Sequence, residues 1–176
     1  MHGLSWGNKT TKEMFIVIAF DLDGVLRDLQ GYLRTKYGVP LPSVWFFTYK
    51  GLGFWEWAEF DNNKMPLLAK PTKYYNTIRK HCKNIEIWTH QYPHWRPLTK
   101  LWIKKYLGDC TVRFLTTKQK RARLDRCKDT ILIEDCPNFK SYDRIVLIDK
   151  PYNRNIKAKR IKKVGQLEKL LLKEGK

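Results

Sequence analysis

Asp21 and Asp23 stand two residues apart in the run Asp21-Leu22-Asp23-Gly24-Val25-Leu26, directly after the apolar run Phe15-Ile16-Val17-Ile18-Ala19-Phe20. Two carboxylates at that spacing in a turn can face one cleft. One can attack phosphorus while the other donates a proton to the leaving oxygen. Gly24 permits the sharp turn that the pair needs. A plain Asp-Gly turn is the competing reading, and it accounts for two of the six residues. Three further sets of polar residues stand just after apolar runs: Thr89 and His90, Thr116 to Lys120, and Glu134-Asp135. Together they offer acids, a hydroxyl and lysines.

The elements that must position these residues follow from the runs themselves. Phe15 to Phe20 is continuous, apolar and rich in β-branched residues, the pattern of a strand buried on both faces. Ile85-Glu86-Ile87-Trp88, Thr111-Val112-Arg113-Phe114-Leu115, Thr130-Ile131-Leu132-Ile133 and Arg144-Ile145-Val146-Leu147-Ile148 read alike. Helices are predicted between them at residues 74–82, 97–107 and 120–127, with a last one at 166–172. In the second, Leu98, Leu101, Trp102 and Tyr106 (or Ile103) fall at helical spacing. Strands alternating with helices make an α/β fold with a mostly parallel sheet. Such sheets bind ligands outside the carboxyl ends of their strands, where all four sets of polar residues fall.

Residues 28–71 break this rhythm. Trp45, Phe46, Phe47, Tyr49, Phe54, Trp55, Trp57 and Phe60 crowd a short span punctuated by Gly38, Pro40, Pro42, Gly51 and Gly53. The segment reads as a small helical cap over the active edge. The domain reading is therefore a core of residues 13–27 and 72–176 with 28–71 inserted. Flat rings stack on bases at small entropic cost, which makes Phe54 and Trp55 candidates for binding a base. Packing on the sheet is the alternative for them, and the expected role of Trp45, Phe47, Trp57 and Phe60.

The chain has 176 residues, Lys+Arg 35, Asp+Glu 17, and a net charge of +18. That excess attracts anionic substrates and polyanions. The run Lys157 to Lys163 reads as a solvated loop or helix face, with a polyanion contact as the alternative. No apolar run reaches the roughly 20 residues needed to span a bilayer, and Met1 to Lys12 lacks a signal peptide's apolar stretch. The expectation is a soluble, cytoplasmic protein with no membrane partner. Cys82, Cys110, Cys127 and Cys136 form no Cys-x-x-Cys pair and read as reduced, mostly buried packing residues.

Asp-x-Asp-Gly-Val-Leu after an apolar strand resembles motif I of the haloacid-dehalogenase superfamily. Ile85 to Thr89 resembles its motif II, and Ile131-Leu132-Ile133-Glu134-Asp135 its motif IV, in the same order across residues 15–150. Within that superfamily the chain is similar to the 5′(3′)-deoxyribonucleotidases. Gly53-Phe54-Trp55 resembles their base-contacting aromatic pair, and Leu101 to Gly108 their following helix. Ile133-Glu134-Asp135-Cys136-Pro137 resembles Ile-Asp-Asp-Arg-Pro, and Pro151-Tyr152-Asn153 a strand-end motif of bacterial and phage relatives.

The resemblance implies a Rossmann-like three-layer α/β/α sandwich with a cap after the first strand. It also implies a magnesium-dependent phosphatase acting on nucleotides. Asp21 would be the nucleophile, forming an aspartyl-phosphate, and Asp23 the general acid and base, lending its backbone carbonyl to the metal. Asp135 would be the side-chain ligand, beside Glu134 and Asp21, and Thr89 would hydrogen-bond a phosphoryl oxygen. All-oxygen ligation suits magnesium. The superfamily's motif III lysine would be Lys120 or Lys118. Lys120 is favoured because it shares a helical face with Leu124 and Cys127. Glu134 stands in place of Asp, Cys136 in place of Arg and His90 in place of a small residue. Plainer readings remain: Thr89 as a strand-end hydroxyl, Glu134-Asp135 as an acidic turn, and His90 as pocket wall. Two further functions stay open, a nucleic-acid end phosphatase and a catalytically idle nucleic-acid-binding module.

Overall fold

The computed structural model describes residues 16–139 and 142–174. Phe15, expected to open the first strand, and the N-terminal stretch Met1 to Lys12 lie outside the described residues. In chain order the elements begin with β1 (Val17–Phe20), α1 (Leu29–Tyr37), β2 (Thr48–Tyr49), β3 (Leu52–Gly53), α2 (Phe54–Phe60) and α3 (Met65–Leu68). They continue with α4 (Tyr75–His81), β4 (Glu86–Thr89), α5 (Arg96–Tyr106), β5 (Thr111–Phe114) and α6 (Thr117–Arg126). β6 (Thr130–Glu134), β7 (Ile145–Ile148), β8 (Lys159–Ile161) and α7 (Val164–Glu174) complete the described chain.

Six strands form one sheet in the order β5-β4-β1-β6-β7-β8. Every neighbouring pair is parallel. The chain runs outward from β1 through β4 to β5, then returns through α6 to β6 on the other side of β1. The order therefore reverses beside β1, and a ligand crevice opens at such a reversal. This is a Rossmann-like α/β arrangement.

Alternate residues of each strand face opposite layers. Ile18, Phe20, Ile87, Ile133, Val146 and Ile148 pack with Ile78 of α4, Trp102 and Ile103 of α5, and Leu167 and Leu171 of α7. Ala19, Trp88, Leu132, Ile145 and Leu147 pack on the other side with Leu124 of α6. Burial on both faces is why these strands are continuously apolar in sequence.

The segment after β1 has a core of its own, built from Leu29, Leu33, Val39, Trp57, Ala58 and Met65, with Trp95 from the turn before α5. It leaves and rejoins the sheet domain through paired backbone. Asp28 N–H donates to Lys70 C=O at 2.8 Å, and Thr72 N–H to Leu26 C=O at 2.8 Å. Besides its helices it contains the antiparallel hairpin β2–β3, so it is not purely helical.

Four expectations need correction. Lys159–Ile161, read as part of a loop or helix face, is an edge strand. Ile161 is buried in the α7 layer while Lys159 faces solvent, and the one buried residue among lysines leaves no strand pattern in sequence. Leu101 is 54% exposed rather than inward. The Trp102 indole donates to Ala69 C=O at 2.6 Å and fixes α5 with Thr99, Trp102 and Ile103 inward. Among the cysteines only Cys136 is buried, and the other three are half-buried at element ends. Phe60 is 61% exposed, although its ring touches Trp57 and Tyr37. No described helix is long and apolar enough to cross a membrane.

Candidate active site

The register of the sheet sets the site. Phe20 pairs with Ile87 of β4 and Ile133 of β6, so Asp21 emerges level with Trp88 and Glu134. Asp21 N–H still donates to Ile133 C=O at 2.8 Å, which holds the nucleophile candidate at the strand's last rung. The chain then turns back at Gly24, whose φ of +80° lies in the left-handed region. A Cβ there would sit 1.8 Å from Asp135 Oδ2. Only glycine lets this turn approach the end of β6 so closely.

Asp21, Glu134 and Asp135 each present a carboxylate oxygen, all within 4.8 Å of one another, and all three residues are buried. Lys120 binds this cluster. Its Nζ donates to Asp21 Oδ1 at 2.7 Å and to Glu134 Oε1 at 2.6 Å. Thr116 caps α6, and Gln119 reciprocates by accepting from the Thr116 N–H. This capping box fixes where the helix starts and so aims Lys120, one turn on, inward. Lys120 is 2% exposed. Lys118 is exposed and makes no contact with the carboxylates, so of the two lysines only Lys120 belongs to the cluster.

Glu134 folds back on its own loop. Its Oε2 accepts from the backbone N–H groups of Asp135 at 2.8 Å and Cys136 at 3.0 Å. The longer arm is thus spent on backbone and lysine. Asp135 is held from the β7 side: the Tyr152 hydroxyl donates to Oδ2, and Asn153 Nδ2 donates to the backbone C=O at 2.8 Å. Trp45 of the inserted segment lies against Tyr152, ring centroids 5.2 Å apart.

Burial raises the Asp21 carboxyl well above its usual range, and the Glu134 carboxylate adds to this against the pull of Lys120. Asp135 is pushed up to about 7, by burial first and also by Glu134, while Lys150, Tyr152 and Lys120 oppose the shift. Three carboxylates facing one ammonium leave two negative charges uncompensated when all are ionised. Oxygen donors and a residual charge of that size fit a metal cation. Asp21, Glu134 and Asp135 could hold it by side-chain oxygens.

The Asp23 side chain points elsewhere than the carboxylate cluster. Arg27 Nε donates to Asp23 Oδ1 at 2.6 Å and Nη2 to Oδ2 at 3.1 Å, and Gln91 Nε2 also donates to Oδ2. Gln91 Nε2 reaches the Thr89 hydroxyl as well, at 3.2 Å. Arg27, Gln91 and Thr99 carried no reading in the sequence. Their partners lie up to 72 residues apart, and only the i,i+4 spacing of Asp23 and Arg27 was visible locally.

A cavity of about 410 Å³ opens over these groups. Asp21, Asp23, His90, Lys120, Glu134 and Asp135 line it together with the aromatic rings of Trp45, Phe47, Phe54, Trp55 and Trp95. Phe54 also packs on the inserted segment's core, so it serves both packing and lining. Trp55 is 44% exposed, and its ring meets Tyr92 at 4.7 Å and Trp95 at 5.5 Å. Partial burial first, then Lys120 and Arg96, hold the His90 imidazole below its ordinary value. Compared with known proteins, the chain matches no protein-family model and no curated protein.

Proposed function

We propose that the protein is a magnesium-dependent phosphomonoesterase of haloacid-dehalogenase type that acts on nucleotides, with residues 28–71 as its cap. The observation that carries this reading is the Lys120 ammonium bridging Asp21 and Glu134 beside Asp135, at the carboxyl ends of β1 and β6. Lys120 occupies Asp21 Oδ1 and leaves the second oxygen to attack phosphorus. As the bond from Asp21 to phosphorus forms, the ester bond breaks and the leaving oxygen takes a proton from Asp23, which enters this step as the carboxylic acid and leaves it as the carboxylate. Water then attacks the aspartyl-phosphate and gives its proton to Asp23, which frees phosphate and restores Asp21. The Thr89 hydroxyl and Lys120 hold phosphoryl oxygens. A bound magnesium ion would neutralise phosphate charge so that an anionic nucleophile can approach.

The nucleotide part of the reading rests on the cavity. Its volume suits a small ligand, and a lining of both aromatic rings and charged groups suits a base and a phosphate. The chain's +18 charge favours a second substrate class, phosphorylated ends of nucleic acid. Phosphate release should be measured from ribo- and deoxyribonucleotides and from 3′- and 5′-phosphorylated oligonucleotides, with magnesium or with EDTA. We expect magnesium-dependent release from mononucleotides and its loss in Asp21→Asn. Release confined to oligonucleotide ends would move the function to nucleic-acid processing. Silence across the panel would sink the phosphatase reading.

A further inference from the structure

Arg27 is completely buried, an expensive place for a guanidinium. It spends four of its five N–H donors: two on Asp23, one on Pro66 C=O at 2.5 Å, and one on the Thr99 hydroxyl at 3.2 Å. The Thr99 hydroxyl, accepting from Arg27, donates to Gln91 Oε1 at 3.4 Å. Gln91 Nε2 then donates to both Asp23 and Thr89. Asp23, Arg27, Thr99 and Gln91 thus form a closed ring in which each link runs from a donor to an acceptor. That consistency also fixes the orientation of the Gln91 amide.

A buried ion pair of this kind is weak evidence for a stabilising role. Buried ion pairs are often replaceable by apolar side chains of similar volume at little cost. What a bidentate guanidinium supplies is direction, since its planar fork holds both oxygens of a carboxylate in one plane. Asp23 lines the cavity, and its side chain is 23% exposed, so without Arg27 only the Gln91 amide would hold it. Pro66 lies in α3 of the inserted segment and Thr99 in α5 of the sheet domain. The guanidinium therefore ties the Asp23 carboxylate to both parts of the molecule.

We infer that Arg27 is the positioning residue for the acid–base group of the reaction. It fixes the Asp23 carboxylate at the cavity wall and, through Thr99 and Gln91, sets the Thr89 hydroxyl beside it. The inserted segment and the acid–base group are seated by one side chain. This inference rests on the phosphatase reading.

The test is steady-state kinetics on a nucleoside monophosphate and on p-nitrophenyl phosphate, with folding of each variant checked by thermal melting. The variants are Arg27→Lys, Arg27→Met, Thr99→Val, Asp23→Asn, and Asp23→Asn combined with Arg27→Met or with Thr99→Val. Misplacing a reacting group by about 1 Å can cost ~100-fold. Arg27→Met should therefore lower kcat by about 10- to 100-fold with KM within about threefold. Arg27→Lys should fall between wild type and Arg27→Met. The nucleoside ester should suffer more than p-nitrophenyl phosphate, whose leaving group needs no proton. In the Asp23→Asn background neither Arg27→Met nor Thr99→Val should cost anything further. Should Arg27→Met not fold, Arg27→Lys and Thr99→Val carry the same comparison. A loss that is undiminished in the Asp23→Asn background, or that appears only in KM, overturns the inference while leaving the phosphatase reading intact. A folded wild type that releases no phosphate from either substrate overturns both.

Discussion

Replacing Lys120 by methionine would leave the Asp21 and Glu134 carboxylates facing each other in a buried site with no cation between them. Uncompensated buried charge of this kind costs about 3–5 kcal/mol. Lys120→Met should lower kcat/KM by at least ~100-fold, in line with the loss of a preorganised charge. Lys118→Met removes an exposed ammonium that touches none of the carboxylates, and it should change stability by less than about 0.5 kcal/mol and kcat/KM by less than about threefold. The comparison is made with the two single variants in the same phosphate-release assay. Equal losses in both would show that the lysine assignment is wrong. The face shared by Lys120, Leu124 and Cys127 already pointed to Lys120, because helical periodicity is a local property. The closed ring around Asp23 was not legible, because Gln91 and Thr99 lie 68 and 72 residues along the chain from the partners they meet in it.

At the scale of elements, the inserted segment is tied internally by Asp61, which follows α2. Its Oδ1 accepts from Lys36 Nζ at 2.5 Å, the Tyr37 hydroxyl at 2.6 Å and the Tyr32 hydroxyl at 3.1 Å, all three on α1. Burial opposes the Asp61 charge, but the hydrogen bonds from Lys36, Tyr37 and Tyr32 outweigh it and hold its carboxyl below the usual range. A carboxyl depressed in the folded state stabilises above its unfolded value and loses that contribution as pH falls through the folded one. Asp61→Asn should therefore melt several degrees below wild type at pH 7, and the gap should shrink as pH is lowered from about 5 to about 3. Thermal melts of both proteins across that range decide it. A gap independent of pH would mean that Asp61 acts through packing alone. The aromatic crowding of residues 28–71 announced a separate small core. It did not announce hairpin β2–β3, whose two-residue strands are too short for any alternation to register. β8 was likewise hidden, since an edge strand needs only one buried side chain.

For the molecule as a whole the dominant quantity is the net charge of +18. Charge of that size acts at long range on any polyanion and is screened by salt. Binding of a phosphorylated oligonucleotide that contacts about six phosphates should weaken by about 10³-fold between ~50 and ~200 mM salt. Turnover of a mononucleotide held mainly by the buried lysine and the cavity walls should change by only a few-fold over the same range. Parallel salt titrations of oligonucleotide affinity and of mononucleotide kcat/KM separate the two. A mononucleotide rate that collapses with salt as steeply as oligonucleotide binding would place recognition on the basic surface rather than in the cavity.

Sequence alone determined the alternation of strands and helices and the carboxyl ends at which polar residues gather. These features rest on periodicity, apolar runs and turn residues, all of which act over a few neighbours. Tertiary structure decided the rest. The order β5-β4-β1-β6-β7-β8 set Asp21 between Thr89 and the Glu134-Asp135 pair. The rotation of α5 put Thr99 rather than Leu101 inward. Pairing across the chain joined Arg27 to Pro66 and Thr99, and Tyr152 to Asp135. Such contacts depend on which distant segments share a wall, and no local pattern of residue types encodes that.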